Sequence, residues 1–236
     1  MGLRDIIRIS NSKIFNIQPH TFDLVRNGDM IAIMNVVEHL RQRENRQDIS
    51  FYIEPAAMAK NPYCEQFLKF LQSKTNHLVM ERGENILNKH IHVWTYRMEV
   101  GDLIKLPNHH HTQKKICIFP VFDSQYNTYR KWSQSLTQEI INRFSTTEYA
   151  NYEKVFCAIG NPPFNIDLHD FKLSIDFTTN VDHIMTSEIY VGGDTGLTHF
   201  ASVLDTAHPK KIYYMSKHSQ KDTLPFYHDK GEMNWY

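Results

Sequence analysis

Cysteine is scarce in this sequence: Cys64, Cys117 and Cys157 are the only three among 236 residues, odd in number and far apart. That is too few for a disulfide frame or a zinc site, and it fits reduced, mostly buried thiols in a cytoplasmic protein. Net charge is absent as well, since 26 Lys plus Arg balance 26 Asp plus Glu. A polybasic protein that binds by bulk charge is thereby excluded, although a local basic patch is not. No apolar run approaches the roughly 18 residues of a membrane span. The opening MGLRDIIRIS lacks the apolar core and cleavage site of a secretory signal, and Ile6 stands where a myristoylation motif has Ser or Thr. There is no GxGxxG after the first strand candidate and no GxxxxGKS/T anywhere, which disfavours dinucleotide oxidoreductases and P-loop NTPases. Low-complexity tracts and fixed-period repeats are missing too. The expectation is a soluble cytoplasmic protein without a membrane span.

What is present is core-forming. With 41% apolar, 12% aromatic and 22% charged residues, the chain can bury a substantial interior, so disordered and fibrous readings fall away. Its fourteen His would make the net charge climb below about pH 6.5. A polar break at PNHHHTQKK, residues 107–115, separates two stretches in which strand and helix signals alternate.

Before the break, strand candidates are Thr21–Val25, Ile49–Ile53, His77–Met80 and His90–Tyr96, with helices at Met30–Gln42 and Pro62–Ser73. After it, strands are expected at Lys115–Phe119, Lys154–Ile159, Glu188–Val191 and Lys211–Met215. Helices are expected there at Trp132–Phe144, Val181–Thr186 and Thr195–Leu204. The tail from Ser219 has no clear period. Alternation of this kind implies βαβ units and parallel sheets, here twice. Two doubly wound α/β domains, 1–108 and 114–236, would place ligands at the carboxyl ends of their strands.

The segment Tyr190-Val-Gly-Gly-Asp-Thr-Gly-Leu-Thr-His-Phe-Ala201 carries the most chemistry. A strand ends in two glycines and a helix opens at Asp194 or Thr195, so backbone N–H groups converge as an anion site. Gly192, Gly193 and Gly196 would let a diphosphate approach the backbone. Equally, Asp194 or Thr195 could simply cap a helix after a glycine turn. Asn27-Gly28-Asp29, after a strand candidate, puts a carboxylate at the opening of a helix, where it is either a cap or a base within reach of an acceptor O–H. Arg130 and Lys131 precede Trp132, either as a solvated pair or as cations placed to meet developing negative charge.

These segments resemble motifs of glycosyltransferase family 9, the ADP-heptose lipopolysaccharide heptosyltransferases. Asp194, Thr195, Gly196, His199 and Ala201 match D-S/T-G-x-x-H-x-A position by position. Gly28 and Asp29 match G-D-x-x-x-x-x-P, except that Asn35 stands at the proline position. Arg130 matches a basic residue two before a Trp. The motifs fall in the family's order and span both halves, in a chain shorter than family members usually are.

The resemblance implies a GT-B fold, two Rossmann-like domains facing across a cleft, and an inverting, metal-independent glycosyltransferase. Asp29 would be the catalytic base. Arg130, Lys131, Asp194, Thr195, Gly196 and His199 would hold the donor diphosphate, with Gly28 on the acceptor side. Read from their own chemistry, Trp94, Tyr96 and Arg97 could stack on or hydrogen-bond an acceptor there, although core packing is the stronger reading for Trp94. No cofactor is implied beyond a nucleotide-diphosphate sugar as donor substrate, and the family's ribose-binding acidic residue has no clear counterpart in Gly160–Asn165.

Two acceptors are open: a bacterial surface glycan such as lipopolysaccharide, or a hydroxymethylated cytosine in phage duplex DNA, which would place the enzyme in the host cytoplasm. Arg41, Arg43, Arg46, Lys114, Lys115, Lys210 and Lys211 form separated basic spots, and Trp94, Tyr96 and Tyr126 could hold an extruded base, so DNA is the leading expectation. Zero net charge weighs against it. A sugar-nucleotide epimerase or hydrolase, and a non-catalytic nucleotide-sugar module, are the rival classes. His90 and His92 read as surface or cleft histidines, and His109, His110 and His111 as solvated linker residues rather than a metal site.

Overall fold

From Met30 to Val37, seven of eight residues are apolar, a pattern too continuous for a helix with one wet face. In the computed structural model these residues lie in α1, Asn27–Glu44, and all seven are buried. The model describes residues 26–45, 47, 51–52, 62–79, 104–108, 113–122, 130–205, 211–214 and 233–235. The chain divides into two compact units, Met1–Leu106 with Gln220–His228 and Pro107–Ser219 with Asp229–Tyr236.

In the first unit, α1 is followed by β1, Phe51–Tyr52, α2, Pro62–Lys74, and β2, Leu78–Val79. β1 and β2 pair in parallel, with Phe51 opposite Leu78. The buried positions of α2, Cys64, Phe67, Leu68 and Leu71, repeat at three and four residues, as a helix with one apolar face requires. α1 ends on Asn45, which adopts the left-handed conformation (φ 52°) and returns its N–H to the carbonyls of Arg41 and Gln42. The strand candidates Thr21–Val25 and His90–Tyr96 lie outside the described residues.

The second unit is a six-stranded, wholly parallel sheet. Its strands are β3, Gln113–Phe119, β4, Glu153–Cys157, β5, Lys172–Ser174, β6, Ser187–Gly192, β7, Lys211–Tyr214, and β8, Met233–Trp235. In space they run β5-β4-β3-β6-β7-β8. Counted within this sheet, that is third, second, first, fourth, fifth, sixth, the order of doubly wound nucleotide-binding folds. α3, Gln134–Phe144, links β3 to β4; α4, Phe177–Thr186, precedes β6; and α5, Gly196–Ser202, follows it.

The KICIF run of β3 is buried throughout its last five residues, as expected of a central parallel strand covered on both faces. Ile116, Ile118, Phe156, Ile189 and Val191 of the sheet pack with Trp132, Ile140, Ile141 and Phe144 in one core. β5 and β8, three residues each, carry no periodic signal and exist because a neighbouring strand pairs with them. The chain is thus an α/β protein with parallel sheets of Rossmann-like type. Among the described residues, no helix is long and apolar enough to cross a membrane.

Candidate active site

The strand order reverses between β3 and β6, and Phe119, the last residue of β3, lies opposite Gly192, the last of β6. At such a switch point the loops leaving the two strands part to opposite sides and open a crevice at the carboxyl ends. β3 continues into Pro120, Val121 and Phe122. The chain is next described at Arg130, returned beside the strand end by the 2.7 Å bond from the Trp132 N–H to the Val121 carbonyl. β6 continues through Gly193, Asp194 and Thr195 into α5.

Arg130 and Asp194 meet there, Nη2 to Oδ2 at 2.8 Å. The Asp194 side chain is 9% exposed and that of Arg130 31%, so the carboxylate is the anchored partner and the guanidinium the more accessible one. His199, nearly buried on α5, brings Nε2 to 3.6 Å from Asp194 Oδ1, beyond ordinary hydrogen-bond length. Arg130 Nε and Trp132 Nε1 are buried donors with no hydrogen-bond partner among the described residues. Buried N–H groups left this way are uncommon in folded proteins and point to an acceptor from elsewhere.

Beneath the loop, the Thr198 hydroxyl donates to the Gly193 carbonyl at 2.6 Å. Having spent its proton, Thr198 Oγ1 accepts from the Tyr190 hydroxyl at 3.0 Å. Burial pushes the Tyr190 phenol well above its ordinary range, so it stays a neutral donor. Thr195 caps α5, its hydroxyl 3.4 Å from the Thr198 N–H. This lock of Tyr190, Thr198 and Gly193 was not legible as a site.

It also gives Gly192 a packing reason. A Cβ there would stand 2.5 Å from the Tyr190 hydroxyl oxygen and 2.7 Å from Thr198 Oγ1, so the protein's own side chains require a glycine at this position. α5 has seven residues, about two turns, so its dipole is small and positive charge at the site must come from Arg130 and the exposed Lys131.

No protein-family model, curated protein or solved structure matches the chain.

Asp29 sits in the first turn of α1, at the helix opening expected of it, and its Oδ2 accepts the Arg26 backbone N–H at 2.9 Å, half of a capping box. Gly28 beside it is buried. Asn35, at the family's proline position, is fully buried on α1, where its Oδ1 accepts the Ile104 N–H at 3.1 Å. A proline could not make that bond, so the departure from the motif has a structural use here.

Trp94, Tyr96 and Arg97 lie outside the described residues, as do His90, His92, His109, His110, His111, Tyr126, Arg46 and Lys210. Arg41, expected as a surface cation, is 3% exposed and bonds Asn76 through both Oδ1 (2.8 Å) and the carbonyl (3.2 Å). Lys115 is likewise turned inward, onto Thr186 Oγ1 at 3.0 Å and Glu153 at 3.3 Å. Both are structural ties, not phosphate contacts. Arg43, Lys114 and Lys211 remain exposed.

Sequence reasoning also passed over an apolar ledge on the same edge of the sheet. Ile159 after β4 and Ile175 after β5 are 47% and 50% exposed, and Phe122 after β3 meets Phe164 edge-on at 5.2 Å. Among the described residues, no three His, Cys, Asp or Glu side chains cluster as a metal would require.

Proposed function

We propose that the chain is an inverting glycosyltransferase of GT-B type that takes a nucleotide-diphosphate sugar as donor, its two units being the Rossmann-like domains of that fold. The observation that carries the reading is Arg130, held by Asp194 at the switch point of a sheet with nucleotide-binding strand order, with a buried Nε–H that has no acceptor among the described residues. A phosphate oxygen would satisfy that donor. The diphosphate lies against Arg130, Lys131 and the Thr195–Gly196 turn, with His199 beneath the loop. Its nucleoside extends over the carboxyl ends of β3, β4 and β5, where Phe122, Ile159 and Ile175 offer apolar surface to a base.

In the transfer step the acceptor hydroxyl attacks the anomeric carbon from the face opposite the diphosphate, and Asp29 takes its proton. The bond from anomeric carbon to phosphate oxygen breaks with its electron pair on the leaving nucleoside diphosphate, and a glycosidic bond forms with inverted configuration. Arg130 and Lys131 neutralise the charge that develops on the leaving group. With Arg41 and Lys115 turned inward, the exposed cations that favoured a DNA acceptor are reduced to Arg43, Lys114 and Lys211 among the described residues. The proposal therefore specifies an acceptor hydroxyl and leaves hydroxymethylcytosine DNA and a glycan as two arms of the test.

The test follows turnover of a panel of nucleotide-diphosphate sugars on both acceptors, with Asp29→Asn and Arg130→Ala beside the native chain. Asparagine keeps an oxygen to accept the Arg26 N–H, so the cap survives while the base is lost. Turnover abolished in D29N at an unchanged melting temperature supports the reading, and undiminished turnover in both variants removes it. Donor consumption without acceptor would hand the site to a hydrolase or epimerase, and donor binding without turnover to a non-catalytic module.

A further inference from the structure

Asp194 is an unexpected neighbour for a diphosphate. It is a carboxylate, 9% exposed, at the turn where the donor's negative charge is proposed to sit, and at long range it can only repel that charge. Its contacts explain its presence. One oxygen lies 2.8 Å from Arg130 Nη2 and the other 3.6 Å from His199 Nε2, so it stands between the Arg130 cation and α5. Arg130 closes a 3₁₀ turn and belongs to no strand of the sheet and no α-helix packed on it, and its long side chain is costly to order. A guanidinium has five N–H groups in a planar fork, so one nitrogen can rest on Asp194 while the others, including Nε, which has no acceptor among the described residues, stay available.

We propose that Asp194 is a positioning residue: it fixes the Arg130 guanidinium in the orientation that receives the donor's diphosphate, and its contribution passes entirely through Arg130. This rests on the nucleotide-diphosphate reading above. It sets two effects of one carboxylate against each other, ordering of the cation and repulsion of the ligand, and ordering dominates only while the cation is there.

The experiment is calorimetric binding of ADP, UDP, GDP and inorganic pyrophosphate to the full chain, to Asp194→Asn, to Arg130→Ala and to the double variant. D194N is expected to weaken binding by about tenfold in the native background, the order of one charge-assisted hydrogen bond. In the R130A background the same change is expected to leave binding unchanged or tighten it slightly, because only the repulsion is then removed. A merely structural role would weaken binding equally in both backgrounds, and that result overturns the proposal, as does native-like binding by D194N.

If the native chain binds none of the four probes, the nucleotide reading falls and the positioning role with it. Native binding with no dependence on Asp194 overturns the positioning role alone. Should D194N fail to fold, Arg130→Lys decides the matter. Lysine keeps the charge without the fork, so a several-fold loss is expected, and native-like binding by R130K refutes an orientation-dependent cation.

Discussion

Gly192→Ala adds one methyl group at the end of β6, where there is no room for it. The new Cβ would lie 2.5 Å from the Tyr190 hydroxyl oxygen, 2.6 Å from its Cε1 and 2.7 Å from Thr198 Oγ1. Carbon contacts normally settle at about 3.5–4.0 Å, so each of these must open by most of an ångström. Tyr190 is completely buried and its ring is rigid, so it cannot swing into solvent. Thr198 is held by its bond to the Gly193 carbonyl. Overpacking of this kind costs about 1–3 kcal/mol. Separating Tyr190 from Thr198 forfeits roughly another 1 kcal/mol of hydrogen bonding. A total of about 2–4 kcal/mol lowers a melting temperature by roughly 5–15 °C in a chain of this size. Thermal melts followed by circular dichroism check this. Gly192→Ala combined with Thr198→Ala should regain part of the loss, because one of the three short contacts disappears. A single variant melting within about a degree of the native chain would refute the packing account and restore ligand approach as the reason for this glycine.

Two further outcomes follow from the described side chains. Acid should weaken the tie between α1 and the turn after α2, where His77 Nε2 meets Glu38 Oε2 at 2.7 Å. Burial holds the His77 imidazole below its ordinary 6.5, against the pull of Glu38, so its contribution is complete above pH 6.5 and declines as pH falls below that value. Burial pushes Glu38 upward, but the His77 and Gln42 hydrogen bonds outweigh it and hold the carboxyl below 4.5, so a second decline comes as pH falls below 4.5. Urea titrations from pH 8 to 3 should show both limbs, and His77→Gln should lose the upper one; an unchanged profile in H77Q would contradict the assignment. The buried thiols of Cys117 and Cys157, with Sγ atoms 3.5 Å apart, should remain unbridged. Cys117 pairs with Val155, so the two cysteines stand diagonally across β3 and β4, roughly 7–8 Å apart at Cα and beyond easy disulfide reach. The Cys117 contact and burial raise the Cys157 thiol, and Cys117 is itself buried, so neither cysteine should react with a thiol reagent until the chain unfolds. Mass-spectrometric detection of a Cys117–Cys157 disulfide after mild oxidation would refute this.

Much of the fold could be read from local pattern, because burial on one face or on both leaves a period in the sequence. The KICIF run marked β3, the spacing of Cys64, Phe67, Leu68 and Leu71 marked α2, and the Gly-Gly-Asp-Thr-Gly turn marked the passage from β6 to α5. Helix ends moved by as many as four residues: α4 begins at Phe177 rather than Val181, where the Asp176 carboxylate caps it through the Thr179 N–H. α3 begins at Gln134 rather than Trp132 because the Ser133 hydroxyl caps it through the Leu136 N–H.

Partnership across the chain is a different kind of information. β5 and β8 are too short to carry a period and are strands only because β4 and β7 bond to them. Asp29 and Asn35 show in sequence as a motif match and a mismatch, whereas the fold makes both hydrogen-bond acceptors for backbone, at Arg26 and at Ile104. Arg41 and Lys115 look like surface cations until Asn76, Thr186 and Glu153 draw them inward. The meeting of Arg130 with Asp194 spans 64 positions, and it depends on where the strand order reverses. Sequence by itself determined which segments are helix or central strand, because those follow from the periodicity of burial along one stretch of chain. The order of the strands, the inward turn of particular cations and the pairing at the switch point were decided by tertiary structure, because each depends on which distant group satisfies a charge or a backbone bond.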